Sequence, residues 1–385
     1  MGTMSKILEL IKKEEKRQKN VINLIASENF VSKDVLKALG SVFTNKYSEG
    51  KSHQRYYHGN EFVDQLEDEV IKLAHKAFKV KPADYGINVQ AYAGSIANLA
   101  VYFALLGPGD RILAMSLEHG GHLTHGHKVT MTSRIFKFKH YGVGTSGFID
   151  YEEVARLARE FKPKLIICGA SAYPRTIDFK KFGDIAKESD ALLMADISHI
   201  AGLVIGGAHP SPFPYADVVT TTTQKTMRGP RGAIIITRKK LSDAVDRSVF
   251  PGLQGGPHIN TIAAIGVALE EANATGFKKY SAQVVKNAKK LASEMAKLGF
   301  KIISGGTDNH LFLVDVSVLG ISGKEAGEKL EKAGIIVNKN MIPYDTRKPW
   351  DPSGIRLGTP AVTTQGMNED DMIKIAKRIK DILSK

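Results

Sequence analysis

Between residues 95 and 237, short apolar, often β-branched runs alternate with segments of helical periodicity, and that alternation admits few architectures. Arg111–Met115, Arg134–Phe138, Leu165–Cys168, Leu192–Ala195, Val218–Thr223 and Gly232–Thr237 read as strands. Around them, Ser95–Leu106, Tyr151–Phe161 and Phe179–Glu188 repeat apolar residues at the spacing of a buried helix face. Strands that alternate with helices of this length pack as an α/β layered sheet, mostly parallel.

Upstream, residues 4–19 read as a charged helix, and Glu61–Phe78 carries apolar residues at helical spacing after an irregular, motif-dense stretch. Long helical patterns at 257–275 and 277–298 break the alternation. Beyond them Leu311–Val316 and Ile335–Asn338 read as strands of a smaller α+β unit. Ser322 and Glu325 form a capping box, because each can satisfy a free amide of the other. Asn368 with Glu369, Asp370 and Asp371 opens a last helix that finishes in lysines, matching the helix dipole at both ends. The expected division is an N-terminal arm (1–45), a large domain (46–256), and linker helices with a small C-terminal domain (257–385).

Composition narrows the function classes. The lone cysteine, Cys168, lies in an apolar run and reads as a core thiol of a reducing compartment. No run approaches the ~18 apolar residues of a membrane span, and Met1–Thr3 read as a cloning remnant before a natural Met4, so a cytoplasmic protein with no membrane partner is expected. The net charge of +14 raises the question of nucleic acid. The basic residues are spread along the chain and mixed with acids, which describes a solvated surface better than a binding stripe. No obligatory nucleic-acid partner is expected.

Four segments carry chemistry. In Val218–Gly232 a β-branched strand runs into a polar tip and then Lys225. Ligands of α/β sheets bind beyond the carboxyl ends of strands, so Lys225 reads either as a Schiff-base amine there or as one more surface lysine. Ala191–Asp196 is an apolar strand ending in a carboxylate, with His199 three residues on. A pyridoxal phosphate enzyme needs an acid against its pyridine nitrogen; the alternative for Asp196 is an ordinary turn or N-cap. Gly94 and Ser95 open a helix whose first amides could seat a phosphate. Finally, Leu117–His127 holds four histidines, but their spacing matches no standard ligand pattern, so stacking on an aromatic cofactor is expected before metal.

Over nearly its whole length the chain resembles serine hydroxymethyltransferases. The likeness rests on Leu24–Asn29, Thr44–Gly50, Arg55–Tyr57, Gly120–Gly126, Thr220–Gly232, Phe250–Pro257, Ser304–Leu311, Val337–Asn340 and Ser353–Ala361. It implies a fold-type I pyridoxal phosphate transferase with a large, mostly parallel domain and a smaller C-terminal one. It also implies an obligate homodimer that shares active sites and exchanges serine and tetrahydrofolate with glycine and methylenetetrahydrofolate. Lys225 would form the cofactor aldimine, Asp196 would pair with the ring nitrogen, and His122 would stack on the ring. His199 and Ser171 would contact the ring hydroxyl side. Gly94, Ser95 and Tyr47 would hold the phosphate together with Gly255 and Gly256 of the other subunit. Arg356 and Ser27 would grip the substrate carboxylate, with Tyr57 nearby, and Glu49 from across the dimer would move protons. Leu117, Gly121, His122, Leu123 and Asn340 would line the folate site.

Three places depart from the family pattern. Ala91-Tyr-Ala93 stands where proline and serine are usual, Gln224 replaces a histidine before the lysine, and Asp345–Pro352 differs near the expected folate pocket. Gln224 is therefore a candidate specificity residue. The alternatives weighed are a folate-independent threonine or allo-threonine aldolase, a related pterin as carrier, and a basic RNA-binding protein on an inactive scaffold.

Overall fold

A computed structural model describes residues 5–384. Met1–Met4, including the segment read as a cloning remnant, lie outside the described residues. The large unit is built on a seven-stranded sheet. Its strands are β1 (Tyr85–Asn88), β2 (Arg111–Met115), β3 (Lys137–Tyr141), β4 (Leu165–Cys168), β5 (Leu192–Asp196), β6 (Val218–Thr222) and β7 (Ala233–Arg238), in spatial order β1-β7-β6-β5-β4-β2-β3. β7 pairs antiparallel with both of its neighbours, while the pairs from β6 to β3 are all parallel. The mostly parallel α/β sheet expected from the alternation is present.

Both faces of this sheet are buried. Leu113, Ile166, Leu193, Val219 and Ile234 point into one apolar cluster; Ile112, Leu165, Met194, Val218 and Ile235 point into another. That two-sided burial is why the strands read as continuous apolar runs and not as alternating ones. Cys168 belongs to the first cluster and is fully buried, and its burial raises the thiol pKa above the useful range.

Two boundaries differ from the sequence reading. The strand expected at Arg134–Phe138 lies at Lys137–Tyr141, because Thr132–Ile135 forms a short helical turn. Lys137–Tyr141 alternates between exposed and more buried residues, but the apolar Ile135 and Phe136 just before it extend the same pattern, so period alone misplaced the start. β1 was not expected at all, since Tyr85-Gly-Ile-Asn88 is too short and too polar to show a period. The other elements that the sequence predicts fall within a residue or two of expectation, while the strands Lys301–Ile302 and Gly354–Gly358 and the helix Lys33–Leu39 are further elements it does not predict.

The smaller unit is a four-stranded antiparallel sheet, β8 (Lys301–Ile302), β9 (Leu311–Asp315), β10 (Asn338–Asn340) and β11 (Gly354–Gly358), in the order β8-β9-β11-β10. Its core joins Phe312, Val314, Ile355 and Leu357 to Ile375 and Ile379 of the last helix, Glu369–Leu383. The N-terminal segment is stitched to this unit: Ile22–Asn23 pairs parallel with Ile335–Ile336, and Leu24 sits fully buried in the same core. The helix Ile259–Asn273 contributes Ile262, Ile265 and Leu269 to the large core, whereas Leu291 and Met295 of the next helix, Thr275–Lys297, enter the small one. Among the described residues no helix is long and apolar enough to cross a membrane.

Both expected caps form. Ser322 Oγ accepts from the Glu325 amide at 3.2 Å and Glu325 Oε2 accepts from the Ser322 amide at 2.7 Å; Asn368 and Asp371 repeat the arrangement. Replacing Ser322 by alanine removes an acceptor from a buried helix start. Urea denaturation should then show a loss of about 1 kcal/mol, with cofactor affinity unchanged, since the cap lies outside the cavity described below.

Candidate active site

Beyond the C-terminal ends of β2, β4, β5 and β6 the large sheet opens into a cavity of about 580 Å³, closed on the far side by β10, β11 and the N-terminal segment. Its deepest charge is Asp196, the last residue of β5. Asn98 Nδ2 and His125 Nε2 meet Asp196 Oδ2 at 2.9 and 3.1 Å, and the Ser198 amide and hydroxyl donate to Oδ1 at 3.1 and 2.6 Å. Burial alone would raise the carboxyl pKa. The hydrogen bond and charge of His125, with Ser198, outweigh burial and hold the group well below the usual carboxylate range. Asp196 is thus an ionised carboxylate at the cavity floor.

Lys225 follows β6 by three residues and lines the same cavity. Loss of solvent pulls its amine down to about 8; Asp196 opposes that shift, and Arg356 and Arg231 add to it. His122 is lowered to about 4, first by burial, so its ring is neutral at physiological pH. Its Nδ1 meets the Thr124 hydroxyl at 2.8 Å. The four histidines of Leu117–His127 go to separate partners: His119 to the Val143 amide, His122 to Thr124, His125 to Asp196, and His127 to the Val129 amide.

His199 is buried against His310, with Nδ1 and Nε2 3.2 Å apart. Burial lowers both well below the usual histidine range, so the pair is neutral and shares one proton. His310 Nδ1 has no partner among the described residues. A buried bare acceptor costs less than a buried orphan N–H. The proton therefore sits on His310 Nε2 and is donated to His199, leaving the other His199 nitrogen as an N–H donor.

Arg356 lies on β11, a strand the sequence reading did not mark. Its Nε donates to Asn338 Oδ1 at 3.0 Å and one terminal nitrogen to the Ser171 carbonyl at 2.7 Å. Burial alone lowers its pKa, to about 10, and among the described residues no carboxylate pairs with it. The small unit thus presents a cation to a cavity whose other wall carries Lys225.

The remaining expected residues divide in two. Ser27, Gly94, Ser95, Leu117, Gly121, Leu123, Ser171, Gln224 and Asn340 line the cavity with those above. Gly94 starts the helix Gly94–Leu105, and a Cβ there would come within 2.5 Å of Thr222 Cγ2. Gln224 Oε1 is buried and finds no partner among the described residues. Tyr47, Glu49, Tyr57, Gly255 and Gly256 do not reach this cavity. They gather in a second cluster, where the Tyr47 hydroxyl meets Glu49 Oε1 at 3.3 Å, the rings of Tyr47 and Tyr57 pack edge to face at 4.9 Å, and both glycines lie against Glu49.

The sequence reading missed Asn98, His125, Ser198 and His310, which position the charged groups. His125 lay in the histidine-rich segment, Ser198 between Asp196 and His199, and His310 in a stretch of family likeness; Asn98 and His310 showed no role because their partners, Asp196 and His199, are distant in the chain.

The family model for serine hydroxymethyltransferase matches residues 3–379. The chain belongs to the serine hydroxymethyltransferase family. A serine hydroxymethyltransferase of Desulfotalea psychrophila is 53% identical over 378 residues, covering 98% of this chain and 88% of that protein. Serine hydroxymethyltransferases are pyridoxal phosphate-dependent transferases of fold type I that interconvert serine and tetrahydrofolate with glycine and 5,10-methylenetetrahydrofolate, and this chain is one of them. That assignment sets aside the aldolase and RNA-binding readings.

The cavity fits the cofactor of a serine hydroxymethyltransferase. It offers an ionised acid for a ring N–H, a desolvated amine, and free helix amides beside a glycine that no side chain could replace without displacing Thr222. The lowered lysine has a measurable consequence. Only the neutral amine attacks the cofactor aldehyde, and burial disfavours the charged form, so the neutral form appears near pH 8 and not near 10.5. Mixing cofactor-free protein with pyridoxal phosphate should give an attachment rate that climbs through about pH 8 and levels above it. A rate still rising steeply beyond pH 9.5 would contradict the desolvated amine.

Proposed function

We propose that Arg356 receives the substrate carboxylate and that the cofactor lies between Lys225 and Asp196. The observation that carries this reading is the buried guanidinium without a counter-ion. Removing a cation from water costs several kcal/mol unless an anion compensates it, so this arrangement is completed by an anion that enters and leaves. The planar fork matches a carboxylate in two parallel hydrogen bonds, and Ser27 supplies a hydroxyl from the cavity wall.

Pyridoxal phosphate, when bound, supplies an electron sink for the bond broken at the serine α-carbon. The chain's own groups set that up. Asp196 keeps a proton on the ring nitrogen, and the neutral His122 can present a ring face without adding charge. His199, fixed as a donor by His310, and Ser171 serve the ring oxygen, while the Gly94 and Ser95 amides receive the phosphate. Leu117, Gly121, Leu123 and Asn340, with His122, are assigned to tetrahydrofolate. Gln224 is assigned to substrate discrimination, because its free Oε1 is an acceptor beside Lys225 that does not change with pH.

The second cluster is read as one subunit's contribution to its partner's cavity in a homodimer. Tyr47 and Tyr57 are about half exposed, as are Ile7, Leu8, Leu10 and Ile11 on the helix Lys6–Asn20, which buries none of its residues within the chain. Apolar surface of that extent favours association. Glu49, Tyr47, Tyr57, Gly255 and Gly256 would then complete the site, with Glu49 moving protons at the substrate hydroxyl and at the carrier. A cytoplasmic setting belongs to the same reading and agrees with a buried, reduced Cys168.

Arg356→Lys keeps the charge and loses the fork. Steady-state kinetics should show the KM for serine rising at least tenfold, about 1.4 kcal/mol of lost binding; a change below threefold would put the carboxylate elsewhere. Glu49→Gln keeps shape and loses proton transfer. Folate-independent cleavage of allo-threonine should persist within about threefold while serine turnover with tetrahydrofolate falls at least a hundredfold, within the range of general acid–base catalysis. Equal losses in both assays would mean damage to the dimer and not a proton role.

A further inference from the structure

The turn that carries Lys225 is held from behind by Asn29, a residue outside the cavity lining. Asn29 Nδ2 donates to the Lys225 carbonyl at 2.9 Å and to the Tyr280 hydroxyl at 2.7 Å. Asn29 Oδ1 accepts from the Phe30 amide at 2.9 Å and from Thr364 Oγ1 at 2.7 Å. Every donor and acceptor that a side-chain amide offers is engaged. The Lys225 carbonyl takes a second bond, from the Arg228 amide at 3.2 Å, which closes a turn with Arg228 at φ +60°. A non-glycine residue in that region is strained and persists only where its surroundings hold it. Arg228 is held in turn: its guanidinium lies 4.7 Å from the centroid of the Tyr280 ring, the same tyrosine that Asn29 bonds, and 3.4 Å from Glu271.

Four separate stretches of chain meet at this one amide, one of them the helix Thr275–Lys297 that carries Tyr280. Asn29 follows the N-terminal segment, Lys225 follows β6, and Thr364 ends the helix Pro360–Thr364. That helix begins two residues after β11, the strand of Arg356. A lysine amine sits at the end of a flexible four-carbon stem, so its reach into a cavity depends on a main chain that does not rotate. We propose that Asn29 is a positioning residue for the reaction: it fixes the main chain of Lys225. The proposal rests on the reading of Lys225 as the cofactor's attachment point.

Asn29→Asp keeps the accepted bonds, loses the two donated ones, and turns an oxygen toward the Lys225 carbonyl; Asn29→Ala removes the amide without that repulsion. Thr364→Val breaks only the link to the small unit and leaves the Lys225 bond in place. For each full-length protein, the affinity of the cofactor-free form for pyridoxal phosphate would be titrated by fluorescence. The pH midpoint of the bound cofactor's visible absorbance would be followed, with circular dichroism as the folding control. Both Asn29 variants should bind pyridoxal phosphate at least tenfold more weakly and show a displaced midpoint, while Thr364→Val stays within threefold with an unmoved midpoint. Asn29 variants within threefold of the parent protein and with its midpoint would overturn the proposal. So would a Thr364→Val protein that reproduces their loss, or Asn29 variants that both fail to fold, since each leaves Asn29 a structural role only. Borohydride reduction of the parent protein and peptide mapping separate the two levels. A label on a lysine other than Lys225 overturns the attachment reading itself, whereas a label on Lys225 with indifferent Asn29 variants overturns this proposal alone.

Discussion

An ionised carboxylate at the buried end of a central strand is the constraint around which the large unit is organised. Asp196 would neutralise itself by taking up a proton if burial acted alone. It stays charged because Asn98 reaches it from the helix after β1, His125 from the loop after β2, and Ser198 from its own loop. Those donors are themselves fixed: Asn98 Nδ2 also donates to Thr124, and its Oδ1 accepts from Thr220 on β6. The order of strands, the start of the helix at Gly94 and the path of the histidine-rich loop all serve one negative charge. A half-satisfied version of this network would be worse than an apolar floor, so its parts stand or fall together.

The positive groups answer that charge with a different logic. Lys225 and Arg356 are both desolvated, and among the described residues neither has a carboxylate directly against it. Their positive potential helps to keep His199 and His310 neutral. The cavity is thus a set of groups whose protonation states are decided by one another. Substrate and cofactor bring the missing negative charges to it.

Much of this was legible in the chain, and the failures have physical causes. Lys225 stood out because it follows a β-branched run with a polar tip, and Asp196 because it ends an apolar one, in a sheet whose ligands bind beyond the carboxyl ends of its strands. Arg356 was found through family likeness alone: Gly354–Gly358 is too short and too mixed to show a period, although it is a fully buried strand. Asn29 and His310 lie inside stretches of family likeness, but neither they nor Asn98 showed a role, because their value lies in hydrogen bonds to residues 196, 111 and 98 positions away. The strand misplaced at Arg134 failed for a local reason, since a helical turn there uses residues that would extend a strand equally well. Period reports burial on a face; it does not report which distant atom a side chain will meet.

The pairing of Ile22–Asn23 with Ile335–Ile336 has a consequence for how the molecule comes to be. The small unit takes a strand and a core leucine from the first 24 residues and closes around them only with residues from the far end. A chain emerging from the ribosome can complete the seven-stranded sheet while that early segment still waits. Loop-closure entropy grows only slowly with length, so the long separation is a modest thermodynamic burden but a real kinetic one. The buried leucine and its neighbouring strand edge stay open to wrong partners for most of synthesis. Arg356 takes its final position only in the last stage, so the cavity wall it stands on is among the last parts of the protein to exist.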